Sequence, residues 1–132
     1  MTAKRNTRPQ LRALSRTLRD VHRGLVDFSR ERYELVNGVV RDRGELLRLL
    51  LEDEAFTWLR PLSRMIVEID ELTARDVAPT AEEAKKIRAR AETLTTASDD
   101  PDAFGSRYVA LLASEPRVAM NHGDLREAVR QN

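Results

Sequence analysis

Leu11, Leu14, Leu18, Val21, Leu25 and Phe28 recur at alternating steps of three and four residues, and Leu35 resumes the pattern after Arg32. That spacing lines one face of an α-helix. The chain signals the ends of this helix as well. Thr7 can accept from the orphan amides, Pro9 tolerates a first-turn position, and Gly38 after Asn37 offers a left-handed stop. The pattern predicts a long first helix over about residues 8 to 37, preceded by a disordered basic tail at 1–7.

Asp42, with Glu45 three residues on, opens a second helix in "GELLRLLLEDE". Its leucines at 46, 47, 49, 50 and 51 cover more than one face, which predicts contact with neighbours on two sides or with a partner chain. It is expected to be the most buried of the short helices. In "AFTWLRPLSRMIVEIDEL" a proline interrupts the apolar pattern. Pro61 has no N–H and its ring would collide with the carbonyl of Thr57, so the chain must bend or restart there. Leu62, Met65, Ile66, Ile69 and Leu72 form the new stripe, with Arg64–Glu68 and Glu71–Arg75 as i,i+4 pairs on the outer side. Phe56 and Trp58 fall in the corner, near residues 58–61, where large rings can wedge two helices apart.

Thr80 and Glu83 form a capping box ahead of a narrow stripe of Ala84, Ile87, Ala91 and Leu94. "TTASDDPDAFG" reads as a flexible polar break. Asp100 and Pro101 suit an N-cap and first turn before Phe104, Tyr108, Leu111 and Leu112. A restart near Ser114 and Pro116 leads to Val118, His122, Leu125 and Val129, which share a face if the last helix runs through Gly123. Nowhere does an alternating run of strand length appear. The fold predicted is all-α: one domain over residues 1–132, a compact bundle of five to six helices with a long first helix and a proline-marked corner.

Composition narrows the function classes. The chain has no cysteine, which excludes a disulfide framework, a thiolate metal site and a cysteine nucleophile, and fits a reducing, cytoplasmic setting. No run approaches the roughly 18 apolar residues that span a bilayer, and the basic N-terminus is not followed by an apolar core, so neither insertion nor export is expected. Charged residues make up 34% of the chain but sum to a formal +1, so any charged partner must be argued locally. Twenty arginines against three lysines fit a GC-rich bacterial origin.

Motifs with chemistry are scarce. There is no G-x-S-x-G, and Gly24, Gly38, Gly44, Gly105 and Gly123 stand singly, so no phosphate-cradling loop is present. His22 and His122 follow Arg19 and Ala119 at the position where a Glu-x-x-His metal motif needs an acid. His22 also lacks the lysine and the small-residue run that follow a phosphotransfer histidine, because Arg23, Gly24 and Leu25 stand there. Glu68, Asp70 and Glu71 have arginines at 64 and 75 as ordinary partners and read as a solvated charged face. No metal, cofactor or catalytic residue is expected.

Arg5, Arg8, Arg12, Arg16, Arg19, Arg23 and Arg30 cluster opposite the leucine stripe of the first helix. Arg12, Arg16, Arg19 and Arg23 are the candidates for contact with a polyanion or nucleic-acid backbone, though no aromatics interleave for base recognition. Trp58, Arg60 and Arg64 are the candidates for a small-ligand pocket at the proline corner, in a sensor or enzyme. The reading that leads is a non-catalytic helical interaction or regulatory module that forms a symmetric homodimer, because the leucines of residues 46–51 exceed what the narrow stripe at 84–94 can shield.

Overall fold

The leucine stripe of the first helix is the axis around which the chain packs. In the computed structural model, which describes residues 2–130 and side chains from residue 7 onward, Leu11, Leu14, Leu18, Val21 and Leu25 are all buried. The described residues form seven helices and no strand: α1 (Thr2–Asn37), α2 (Arg43–Glu52), α3 (Glu54–Thr57), α4 (Arg60–Ala74), α5 (Ala81–Leu94), α6 (Phe104–Leu112) and α7 (Pro116–Arg130). The seventh element, beyond the expected six, comes from Asp53. Its extended backbone ends α2, and its carboxylate accepts from Ala55 N at 2.9 Å to cap the single turn of α3.

α1 packs against α4, α5 and α7. It runs antiparallel to α4, since Arg8 meets the carbonyl of Arg75, Ser15 meets Asp70 and His22 meets Ser63. It runs antiparallel to α7 as well, with Glu31 against Arg117 and the Asp20 carbonyl against Asn121. The main core adds Leu62, Met65, Ile66 and Ile69 of α4, Ala84, Ile87 and Ala91 of α5, Phe104 and Tyr108 of α6, and Val118 and Leu125 of α7. The stripes expected in these helices are therefore the ones that pack.

Four expectations change. α1 begins at Thr2 rather than near residue 8, which places Pro9 inside the helix and makes the segment expected as a tail helical from Thr2. Thr7 does not cap it: its hydroxyl is buried and donates to the Pro79 carbonyl at 2.6 Å. Leu35 does not extend the core stripe and is 87% exposed. At 1.5 Å per residue α1 is about 54 Å long against about 22 Å for α4 or α7, so its last turns outrun the bundle. Finally, Asp100 does not cap α6. It accepts from Asp102 N at 2.9 Å in a local turn, and α6 starts at Phe104 without a side-chain cap. The polar break before α6 is itself pinned, with Ser98 N donating to Ser106 Oγ at 3.0 Å.

The overhanging end of α1 carries a second, smaller cluster: Val40, Leu49 and Phe56 are buried there, with Tyr33 alongside. Gly38, at φ 85°, turns the chain back to build it, as the Asn-Gly pair predicted. α7 is continuous through Gly123. No helix among the described residues is long and apolar enough to cross a membrane.

Candidate interaction surfaces

α2 is the element whose placement departs furthest from expectation. Only Leu49 of its leucines is fully buried, whereas Leu47 and Leu51 are 58% and 61% exposed. The predicted most buried short helix is thus an exposed one, because it lies on the small second cluster rather than in the main core. Leu46 and Leu50 turn inward to line a groove of about 540 Å³ with Val26 of α1 and Val67 of α4. Val67, Val36 and Val39 are exposed too. An apolar helix flank left in water on a chain of this size is the usual mark of an interaction surface. Its N-terminal end is mixed, with Arg41, Asp42 and Arg43 exposed and Arg41 paired to Glu45 at 3.9 Å, whereas the exposed Glu52 and Glu54 make the C-terminal end acidic.

The arginine face of α1 divides into two groups. Arg8 is engaged, donating to the carbonyls of Thr73 at 3.1 Å and Arg75 at 2.7 Å, where it satisfies the open end of α4. Arg19 pairs with Asp70, which also accepts from Ser15 at 2.8 Å. Arg30 pairs with Glu34 at 3.4 Å. Arg12, Arg16 and Arg23 remain exposed and make no ion pair among the described residues. The side chain of Arg5 lies outside the described side chains. The four candidate cations thus reduce to a stripe of three, with Arg19 neutralised between them.

The expected trio at the proline corner is not assembled. Trp58 does line a groove, of about 410 Å³, but its companions are Phe28 and Arg32 of α1 and Arg107 of α6. Arg60 instead donates to the Leu51 carbonyl at 3.1 Å, tying α2 to α4, and Arg64 is exposed on α4. Trp58 and Phe56 point to different places. Phe56 packs beside Tyr33 in the second cluster, with centroids 5.7 Å apart, while Trp58 stacks on Phe104 at 5.4 Å. Arg107 lies over the indole at 5.8 Å, a contact that no sequence signal announced, since α6 meets the corner only through tertiary packing.

The acidic cluster is structural, although with other partners than expected. Glu68 takes both nitrogens of Arg90, the longer bond at 2.7 Å, and Arg75 takes Glu83 at 2.9 Å. Cross-helix forks between α4 and α5 replace the i,i+4 pairs because they allow two parallel hydrogen bonds per guanidinium. Both lower the carboxyl pKa through the arginine hydrogen bond, that of Glu83 to about 2 with help from the Thr80 amide. The capping box is complete: Thr80 N donates to Glu83 Oε1 at 2.9 Å and Glu83 N to Thr80 Oγ1 at 3.0 Å.

Each histidine sits at the edge of the core beside a hydroxyl. His22 Nε2 lies 2.9 Å from Ser63 Oγ, and His122 Nδ1 lies 2.8 Å from Tyr108 Oη. Burial, and secondarily a nearby arginine, hold both imidazoles below their ordinary pKa. No group of three potential metal ligands occurs among the described residues. Comparison with protein-family models, with curated proteins and with solved structures returns no match.

Proposed function

We propose that the protein is a non-catalytic helical interaction module that self-associates as a symmetric homodimer through α2. The observation that carries this is the exposure of Leu47 and Leu51, one turn apart on the outer flank of that helix. Burying a leucine fully is worth roughly 1.5–3 kcal/mol, so a flank of two leucines doubled by symmetry is a substantial driving force. The charges of α2 favour a second copy as the occupant. A two-fold axis across the helix sets two copies antiparallel, which brings Arg43 of one beside Glu52 and Glu54 of the other. At its start α2 suits its own dipole, with Asp42 as the cap and Glu45 in the first turn, whereas Glu52 leaves the last turn without a cation, which Arg43 of a second copy would supply.

Light scattering tests the reading. The wild type is expected to have twice the monomer mass of 15.1 kDa at tens of micromolar, and Leu47→Glu/Leu51→Glu to run as a monomer of unchanged helicity. Arg43→Glu alone should weaken the dimer and Arg43→Glu/Glu52→Arg restore it. A wild type that remains monomeric at that concentration overturns the proposal.

A second reading, contact with a polyanion through α1, is supported by the exposed Arg12, Arg16 and Arg23, which lack acidic partners among the described residues. Asp20 and Asp27 share that edge and dilute the field. The α2 surface therefore takes precedence.

A further inference from the structure

α5, α6 and α7 border a half-open cavity of about 500 Å³, within the size range of small-molecule sites. Its wall is apolar along Val109 and Val129, and its rim carries His122, Arg126 and Arg130, with Glu92 of α5 also lining it. The three α7 residues stand four apart, so one edge of that helix presents nitrogen donors in a row. Arg126 and Arg130 are exposed and make no ion pair among the described residues.

Tyr108 sets the state of His122. The phenol is fully buried, and among the described residues His122 Nδ1 is the hydrogen-bond partner of its hydroxyl. A buried hydroxyl needs an acceptor for its proton, and burial holds this phenol protonated well above its ordinary range. Oη therefore donates to Nδ1, and the proton of the neutral imidazole resides on Nε2. His122, which lines the cavity, thus carries its N–H on the ring nitrogen that Tyr108 does not engage.

We propose that this cavity binds a single-chain amphipathic carboxylate, its head group held by His122 Nε2–H, Arg126 and Arg130 and its hydrocarbon body lying on Val109 and Val129. Two guanidinium groups against the single carboxylate of Glu92 leave the rim positive, which selects an anion. The planar fork of arginine matches a carboxylate, and the apolar wall selects a hydrocarbon body over an inorganic anion. This site is separate from the α2 surface, and its test does not depend on dimerisation.

Decanoate, titrated into the full chain by calorimetry with decanol and sulfate as controls, is the probe. Decanoate should saturate one site per chain, and decanol and sulfate should bind at least about tenfold more weakly. The double variant Arg126→Gln/Arg130→Gln alters exposed positions, so it should melt like the wild type while losing about tenfold or more in decanoate affinity. In NMR spectra the His122 ring should shift on titration and the His22 ring should not. Absence of saturable heat, equal affinity for decanoate and decanol, full affinity in the double variant, or a shift at His22 instead of His122 would each overturn the proposal.

Discussion

Trp58 stacks on Phe104 with ring centroids 5.4 Å apart and planes inclined by 27°, which fastens the proline corner between α3 and α4 to the start of α6. Phe104 continues the stack onto Tyr108 at 5.8 Å. Because Trp58 is only half-buried, Trp58→Ala should cost about 2–3 kcal/mol, below the roughly 3–5 kcal/mol of a fully enclosed ring. Thermal melting checks it, and a variant that melts with the wild type would show the stack to be idle.

The two groups of α1 arginines should separate in stability. Arg12→Gln, Arg16→Gln and Arg23→Gln together alter only exposed, unpaired positions and should move stability by less than about 0.5 kcal/mol each. Arg8→Gln removes donors from the Thr73 and Arg75 carbonyls and should cost about 1–2 kcal/mol. Denaturant titration compares them. On the polyanion reading, the triple variant should also lose a steeply salt-dependent binding to generic duplex DNA. If the wild type does not bind at low salt, that reading ends.

Two glycines should respond in opposite directions to alanine. A Cβ on Gly105 would stand 2.1 Å from the Thr96 carbonyl oxygen and 2.8 Å from that of Leu94, both backbone atoms that α6 closes against. Gly105→Ala should therefore cost about 3 kcal/mol or more through forced separation of α6 from the end of α5. Gly123, inside α7, has nothing within 4 Å of an added Cβ, so Gly123→Ala should stabilise by about 0.5–1 kcal/mol. Thermal melting checks both: a Gly105→Ala variant that melts with the wild type would contradict the first statement, and a Gly123→Ala variant that melts below it the second.

Glu83 supplies a pH dependence. Its folded pKa of about 2 lies below the ordinary 4.5, through Arg75 first and then the Thr80 amide. A depressed carboxyl pKa means that the unfolded chain binds the proton more readily. The contribution of this group is therefore complete above pH 4.5 and is lost as pH falls towards 2. A carboxyl-detected NMR titration should place the Glu83 midpoint near that value and show it rising in Arg75→Gln. A midpoint that does not move in the variant would remove Arg75 as the cause.

Local rules carried much of this fold. The three-and-four spacing of Leu11 to Leu25 fixed a buried helix face, Pro61 marked the start of α4, Thr80 and Glu83 closed a capping box, and Gly38 ended α1. Each is decided within one or two helical turns, where periodicity, a missing N–H or a positive φ acts without reference to the rest of the chain. The surfaces were decided elsewhere. Which leucines of α2 are left in water depends on α1 outrunning the bundle, a comparison of lengths between distant helices. The pairing of Glu68 with Arg90, of Trp58 with Phe104 and of Tyr108 with His122 depends on which helices meet, and the i,i+4 rule had no access to it. Sequence by itself settled most of the helices, though not the extra turn of α3 or the start of α1 at Thr2. Tertiary packing settled what each side chain faces, because burial and partner choice are properties of neighbours that the linear order does not place together.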